Sequence, residues 1–261
     1  MPLDIRTARK HSVNSNGLGD WTRRTRGQGS RHLSVFSLCC CLAFRQPWGT
    51  PLLLKSLAVL LAYVSWAFSL TIANSRSWRV WEFRSQSIAV MHIGLWETYY
   101  VETFNMTGLN LKVSVSAKLN ASWGIPDEIY YGQDLLLLAN FLAPVALVFS
   151  TLATWACWTR APYPHFFRSC YNTAALHLFL TCFCLTLTVA WNFIVDLYGQ
   201  TTLEFPPKFP VSKEMIHSKG VSYVLPLGVL ACVFSLISAI IFVMDSCAME
   251  EEEPALLMSM V

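Results

Sequence analysis

Residues 52–73 read LLLKSLAVLLAYVSWAFSLTIA, an apolar run in which Lys55 is the one charged side chain. Three further runs of the same kind follow at residues 135–158, 173–195 and 221–244. Each run is long enough to cross a hydrocarbon core of about 30 Å at a rise of about 1.5 Å per helical residue. A helix satisfies its own backbone hydrogen bonds in lipid. The four runs therefore predict an all-α membrane protein, built as a four-helix transmembrane bundle.

The composition agrees with a membrane protein, and the sequence shows no motif that is typical of an enzyme. Of the 261 residues, 54% are hydrophobic and 13% are charged, a balance too apolar for an ordinary soluble domain. The six histidines are scattered, and no HExxH, GxSxG or P-loop motif occurs. We therefore expect no enzyme, no cofactor, no metal and no nucleic-acid partner. His177 has no His or carboxylate three or four residues away, so a helix-packing hydrogen bond is favoured over a metal site.

The charges that flank the runs predict the topology. The first fifty residues carry eight Lys or Arg and two Asp, and the link after the second run carries Arg160 and Arg168. By the positive-inside rule both segments are cytoplasmic. The loops 74–134 and 196–220 then face outward, and both termini lie in the cytosol of a multi-pass plasma-membrane protein. Asn105 and Asn120 begin Asn-x-Ser/Thr glycosylation acceptors in the first outer loop, which agrees with an extracellular position of that loop.

The residues before the first run form a separate region, 1–51, which is predicted to be a basic and mostly disordered cytoplasmic leader. Its apolar stretch 33–44 is too short to span a membrane, and cleavage there as a signal peptide would put both glycosylation acceptors in the cytosol. Cys39, Cys40 and Cys41 are candidates for palmitoylation, and plain free thiols are the alternative. The four-span domain is assigned to 52–247 and a cytoplasmic tail to 248–261.

The first outer loop carries strand signals. Residues 109–119 alternate strictly between apolar and polar, which is typical of a strand with one buried and one wet face. Residues 78–84, WRVWEFR, give a weaker strand signal, and residues 93–96 add a short apolar element. A lone hairpin is marginally stable, so we expect three or more strands. The loop is predicted to form a small extracellular antiparallel β-sheet.

Four residues of this loop carry a resemblance to a known family. Trp78 stands soon after the first run, and Gly94, Leu95 and Trp96 follow in sequence further on. On a chain of four spans with internal termini, this pattern resembles the claudin superfamily, whose signature is Trp, then Gly-Leu-Trp, then two cysteines. The triplet 196–198, DLY, is similar to the Asp-aromatic-Tyr that opens the second loop in many members. The resemblance covers about residues 52–247.

The chain departs from the family at the cysteine pair. Tyr99 stands where the first cysteine is expected, and Gly108 and Leu109 stand near the second position. No predicted outer loop contains a cysteine, so none is placed for an extracellular disulfide. Loss of such a bridge typically costs about 2–5 kcal/mol. We expect aromatic packing, glycans or a partner to offset it, the candidate aromatic residues being Trp78, Trp81, Phe83, Trp96, Tyr99 and Tyr100.

The resemblance and the tail together predict the function. Ser259, Met260 and Val261 end the chain as Ser-x-hydrophobic, the pattern that a PDZ scaffold domain binds by strand addition. The resemblance implies a structural, adhesive or barrier component of tight junctions that pairs with like or related claudin-like proteins in the bilayer. An auxiliary subunit of an ion channel or receptor is the alternative. A chain with little retained role is a third reading that the missing cysteines leave open.

Overall fold

The computed structural model describes residues 52–106, 109–120, 122–159, 163–199, 203–207 and 209–259. The predicted leader, with Cys39, Cys40 and Cys41, lies outside these residues, as do Met260 and Val261. The described part is built from the following helices and strands in chain order: α1 (Leu52–Ala73), β1 (Arg79–Phe83), β2 (Ile88–Ile93), β3 (Glu97–Met106), β4 (Leu109–Lys118), α2 (Asp127–Trp158), α3 (Pro164–Tyr198), β5 (Ile216–Gly220) and α4 (Val224–Ser259).

All four helices are long and apolar enough to cross a membrane, as predicted. The first has the predicted bounds, and α2 and α3 begin eight or nine residues before the predicted runs. Helix α2 starts directly after Pro126 with Asp127 and Glu128 in its first turn, where acidic side chains favour the helix dipole. Helix α4 begins at Val224 instead of 221, because the Ser222 hydroxyl accepts the Val224 amide at 3.2 Å. Hydropathy detects apolar residues, so it misses polar helical turns.

The helices pack in a ring, α1 to α2 to α3 to α4 and back to α1. Helix α1 buries a narrow stripe of mostly small residues at helical spacing, which lets neighbouring backbones approach closely. Serine side chains tie adjacent helices by bonding to backbone carbonyls across the contacts. Ser65 donates to Ala231 at 2.7 Å, Ser238 donates to Ala58 at 2.7 Å, and Ser235 donates to Leu178 at 3.0 Å.

Two polar residues of the spans make their contacts inside the bundle. Lys55 is buried although it lies in the first turn of α1, and its Nζ is 5.5 Å from the centre of the Tyr171 ring. His177 was expected to bond across the bundle, but its Nδ1 lies 2.7 Å from the Thr173 carbonyl of its own helix. The aliphatic part of the Lys55 side chain is buried inside the bundle. For His177, the carbonyl one turn earlier in its own helix is the bonding partner.

One antiparallel sheet covers the end of the bundle, with strand order β4-β3-β2-β1-β5. The strands predicted at 78–84 and 109–119 correspond to β1 and β4. The expectation that the first loop alone forms the sheet was incomplete, because β5 comes from the second loop and pairs with β1. Trp81 lies opposite Lys219 in that pair, so the sheet joins both long connections.

The sheet packs one face onto the helix ends. Trp81, Ile88, Met91 and Ile93 are fully buried and share a core cluster with bundle residues such as Leu136. On this face lie Trp81 and Phe83 of β1, together with Arg79. We call the end of the bundle that carries the sheet the sheet end.

The apolar face of β4 is covered along only part of its length. The alternating pattern predicted burial from Leu109 to Leu119, and Val115, Ala117 and Leu119 do pack against the core. Leu111, however, is 50% exposed and Val113 is 37% exposed. The core beneath the sheet ends near Val115, so the pattern correctly predicted the strand and overestimated its burial.

Candidate functional site

The two signature tryptophans bond to the last carbonyls of α1. Trp78 donates its indole N–H to the Ile72 carbonyl at 2.9 Å, and Trp96 donates to the Ala73 carbonyl at 3.0 Å. The final carbonyls of a helix have no partner inside the helix. The Trp96 bond supplies one for the Ala73 carbonyl, and the Trp78 bond is a second one on the Ile72 carbonyl, which also accepts the Ser75 amide at 3.2 Å. Trp78 and Trp96 are far apart in sequence and meet at one helix end.

Trp96 is far from α1 in sequence and nevertheless lies at the helix boundary. The β1–β2 hairpin brings the chain back, so Trp96 contacts the end of α1 and stays partly exposed. Tryptophans with one apolar side and one polar handle are typical of such boundary positions.

Gly94 and Leu95 lie beside these two tryptophans, and we call the contact of these four residues with the helices the corner. A Cβ on Gly94 would lie 2.8 Å from the Ser75 carbonyl oxygen and 2.9 Å from the Glu97 carbonyl oxygen, both of them backbone atoms. Glycine is therefore required where the β2–β3 turn passes the end of α1. Leu95 is fully buried, and its carbonyl accepts a hydrogen bond from Gln133 of α2. All four signature residues thus attach the sheet to the helices.

A buried ion pair lies directly beside this corner. Arg79 of β1 and Glu128 of α2 are joined by Nη2 and Oε1 at 3.2 Å, with side chains 3% and 6% exposed. Arg79 also donates to Asn192 Oδ1 of α3 at 3.0 Å, and Asn192 donates to the Glu128 backbone carbonyl at 2.8 Å. Three polar residues from three elements therefore form one buried network between the sheet and the helices.

Sequence reasoning missed this network, although a signal for it was present. Arg79 shares its strand face with Trp81 and Phe83, the two large aromatic residues most suited to burial. An arginine on such a face requires a buried acidic or amide partner. Nothing local identifies Glu128 or Asn192 as that partner, because they stand 49 and 113 residues away.

The triplet similar to a family motif also meets the sheet. Asp196, at its first position, accepts the Trp81 indole N–H on Oδ1 at 2.9 Å. Its backbone carbonyl accepts a bond from Lys219 Nζ at 2.7 Å, and that ammonium lies 5.9 Å from the centre of the Trp81 ring. Asp196 therefore links α3 to both β1 and β5.

Aromatic side chains of the second loop pack beneath the sheet. Phe205 contacts Trp81 and Phe83 with ring centres about 6 Å apart, and Phe209 contacts Tyr100 at 5.3 Å. Trp123 lies against both phenylalanines, which stack on each other at 4.9 Å. Aromatic pairs add about 0.5–1.5 kcal/mol each beyond their burial. The cluster contains three of the aromatic residues expected from the sequence, Trp81, Phe83 and Tyr100, and the second loop supplies two of its six rings.

The positions assigned to the missing cysteines do not face one another. Tyr99 pairs with Ser116, and Leu109 pairs with Met106 at the far end of the same hairpin. The β3–β4 register runs unbroken over ten residue pairs. The continuous ladder closes this part of the loop through backbone hydrogen bonds.

An exposed ion pair lies on the other face of the sheet. Arg76 donates to Glu97, and the Ser116 hydroxyl donates to the second carboxylate oxygen of Glu97 at 3.0 Å. The bond from Ser116, and after it the contact with Arg76, lowers the pKa of Glu97 below its ordinary value. This pair connects the corner at the end of α1 to β3 and β4.

The predicted modification and docking residues are placed as follows. Asn105 lies on β3 opposite Asn110, next to the end of the β3–β4 hairpin. Asn120 follows β4 and is exposed, and its Oδ1 accepts the Ser122 amide at 3.0 Å. Ser259 is the last residue of helix α4, whereas Met260 and Val261 lie outside the described residues.

The described cysteines are all free thiols: Cys157, Cys170, Cys182, Cys184, Cys232 and Cys247. Within the described ranges, no group of three or more His, Cys, Asp or Glu side chains could hold a metal ion. A helix end, a glycine turn and a buried ion pair together hold the sheet onto the bundle.

Comparison with protein-family models gives no matching model, and comparison with curated proteins gives no matching relative.

Proposed function

We propose that this chain is a claudin-like integral membrane protein of cell–cell junctions, with a structural, adhesive or barrier role. The observation that carries the proposal is the convergence of Trp78, Gly94 and Trp96 on the end of α1, with Leu95 bonded to Gln133 of α2. These residues carry the resemblance in sequence, and in space they form one joint between sheet and bundle. A rigid sheet held on four membrane-length helices suits pairing between neighbouring molecules and across apposed cells.

Residues at the two ends of the helices support membrane insertion. Large aromatic side chains are exposed at both ends of the bundle, as in the interfacial belts of membrane proteins. At the sheet end these are Tyr130, Tyr131, Tyr198 and Tyr223, and at the other end Trp155, Trp158, Tyr163 and Phe166. Between them the exposed positions are mostly leucine, valine, isoleucine and phenylalanine. Such a surface is stable in lipid and would aggregate in water.

The proposed topology places the sheet outside the cell and both termini in the cytosol. The basic leader and the link that carries Arg160 and Arg168 support it, as do the glycosylation acceptors at Asn105 and Asn120. A cytoplasmic Val261 would be available to a PDZ scaffold that anchors junctions.

Freeze-fracture imaging of cells that lack junctional strands tests the function. We expect cells expressing the full chain to show intramembrane strands at contacts and a change in ion conductance across the layer. Replacing both Trp78 and Trp96 by alanine should abolish the strands, because the sheet loses its attachment to α1. Leu53→Ala, at a side chain 83% exposed on the lipid-facing surface, is the matched control and should leave the strands intact.

A diffuse membrane signal, with no strands and no conductance change, would refute the junctional role. Stable co-purification with a channel or receptor, without enrichment at contacts, would replace it by the auxiliary-subunit function.

A further inference from the structure

The β3–β4 hairpin has an apolar surface that nothing in the described structure covers. It consists of Phe104, Leu111 and Val113, which we call the hairpin shelf. Phe104 is 42% exposed, and Leu111 and Val113 are exposed as stated above. Cross-strand pairing brings them together, because Phe104 lies opposite Leu111 and Glu102 lies opposite Val113. Adjacent apolar residues of this size on one face form an uncommon surface for a chain in water.

The hairpin shelf lies on the face of the sheet that packs onto the bundle. Tyr100 precedes Phe104 by four residues on β3 and pairs with Val115, so all share one face by strand alternation. Tyr100 is buried against Phe209, and Val115 packs against the core that includes the bundle. The hairpin shelf is therefore the continuation of the bundle-facing surface and is turned towards the side on which the helices lie.

The opposite face of the hairpin is more polar. Lys112, Ser114 and Ser116 are exposed there, next to Val101, which is 37% exposed. The bundle-facing side of the hairpin is therefore the more apolar of its two faces, and the opposite face carries most of its exposed polar side chains.

We propose that the hairpin shelf rests on the lipid headgroup region of the membrane leaflet at the sheet end of the bundle. This rests on the proposed membrane insertion. A bilayer fills the space beside the helices, so a surface that faces the same way as the sheet core and extends beyond it meets lipid. Glu102 lies on the same face nearer the bundle, and a carboxylate is compatible with the headgroup layer and costly in hydrocarbon. The docking is therefore shallow.

A second copy of the chain is the competing occupant. Strand β4 is an edge strand of the sheet, and an open edge can pair with another strand. The lipid surface is favoured because the exposed apolar side chains lie on the bundle-facing face of the hairpin, whereas edge pairing uses backbone groups in the plane of the sheet.

The cysteine-free loop permits a selective test. No cysteine lies in residues 74–134 or 196–220, so an engineered thiol there is the one that an impermeant reagent meets at the cell surface. Leu111→Cys and Val113→Cys report on the hairpin shelf, and Ser114→Cys reports on the opposite face of the same strand. A polarity-sensitive fluorescent label is attached on intact cells, and the protein is then moved into phosphatidylcholine nanodiscs that contain a headgroup-proximal nitroxide lipid.

We expect the labels at residues 111 and 113 to be quenched several-fold more than the label at residue 114, with a blue-shifted emission. Equal quenching at all three positions would overturn the lipid docking. A disulfide-linked dimer of Leu111→Cys before labelling would overturn it in favour of a second copy. Failure of all three to label on intact cells would refute the outward topology of the proposed function as well, so the two failures are distinguishable.

Discussion

At the scale of the residue, the joint between sheet and bundle depends on a few groups that cannot be exchanged freely. Burying a charge is costly unless it is paired, so Arg79 and Glu128 are each needed by the other. The Gly94 backbone passes so close to the end of α1 that a side chain has no room. The sequence indicates Trp78 and Gly94 through a family pattern and gives no local sign of the ion pair.

We predict that Arg79→Gln lowers the free energy of unfolding by about 3–5 kcal/mol, because it removes the guanidinium charge that is paired with the buried Glu128 carboxylate. The melting temperature of the purified protein in detergent measures the effect. Arg76→Gln is the matched control, and loss of that exposed pair should cost about 0–1 kcal/mol. Joint replacement of Arg79 by Met and Glu128 by Gln should be less damaging than the single change. Equal melting temperatures of Arg79→Gln and Arg76→Gln would contradict this prediction.

We predict that Gly94→Ala destabilises the protein by about 1–3 kcal/mol, because the new methyl group meets two backbone oxygens that cannot move independently. Gly220→Ala is the control, since its nearest neighbour would be 3.6 Å away. Thermal unfolding of both variants is the measurement. If the two glycines tolerate alanine equally, the close approach at the end of α1 is not what selects glycine.

At the scale of the element, strand prediction succeeded where side chains alternate and failed where pairing is imposed by neighbours. The pattern of β4 is regular, and β1 is rich in aromatic and branched residues. Strand β5, IHSKG, has no such pattern and is extended because β1 offers it a free edge. Burial of β4 was overestimated, since periodicity shows which face is apolar and not how far the core extends beneath it.

The pH dependence of the β3–β4 hairpin belongs to this scale. The pKa of Glu97 is lowered in the folded state by Ser116 and then Arg76. The stability that this carboxylate contributes is therefore fully present above the unfolded pKa of about 4.3 and is lost as the pH falls through the lower folded pKa.

We expect the stability difference between the wild type and Glu97→Gln to stay constant from pH 7 to about pH 5 and to shrink in more acidic solution. Melting temperatures over that range measure it. Ser116→Ala should reduce the difference because it removes the largest cause of the shift. A stability difference that grows on acidification would show that the pKa of Glu97 is not lowered in the folded state.

At the scale of the whole molecule, the number and position of the four helices could be predicted, but their polar ends could not, since α2 and α3 begin earlier than predicted and α4 continues to Ser259. Their connections could be predicted only in part. Long apolar runs are read directly from composition, and α1 has the bounds that hydropathy indicates. The joining of both loops in one sheet could not be read, because it depends on contacts such as Trp81 with Asp196 that are 115 residues apart. A buried ion pair, an aromatic cluster and an unbroken hairpin ladder hold the sheet together and join it to the bundle.

The central claim is that the bundle crosses a membrane with its cysteine-free sheet outside the cell. Enzymatic deglycosylation of the chain from intact cells tests it most directly, using Asn105→Gln, Asn120→Gln and the double variant. We predict a two-glycan shift for the wild type, a one-glycan shift for each single variant and none for the double variant. Wild-type protein that is present in the membrane but insensitive to the glycosidase would contradict the account.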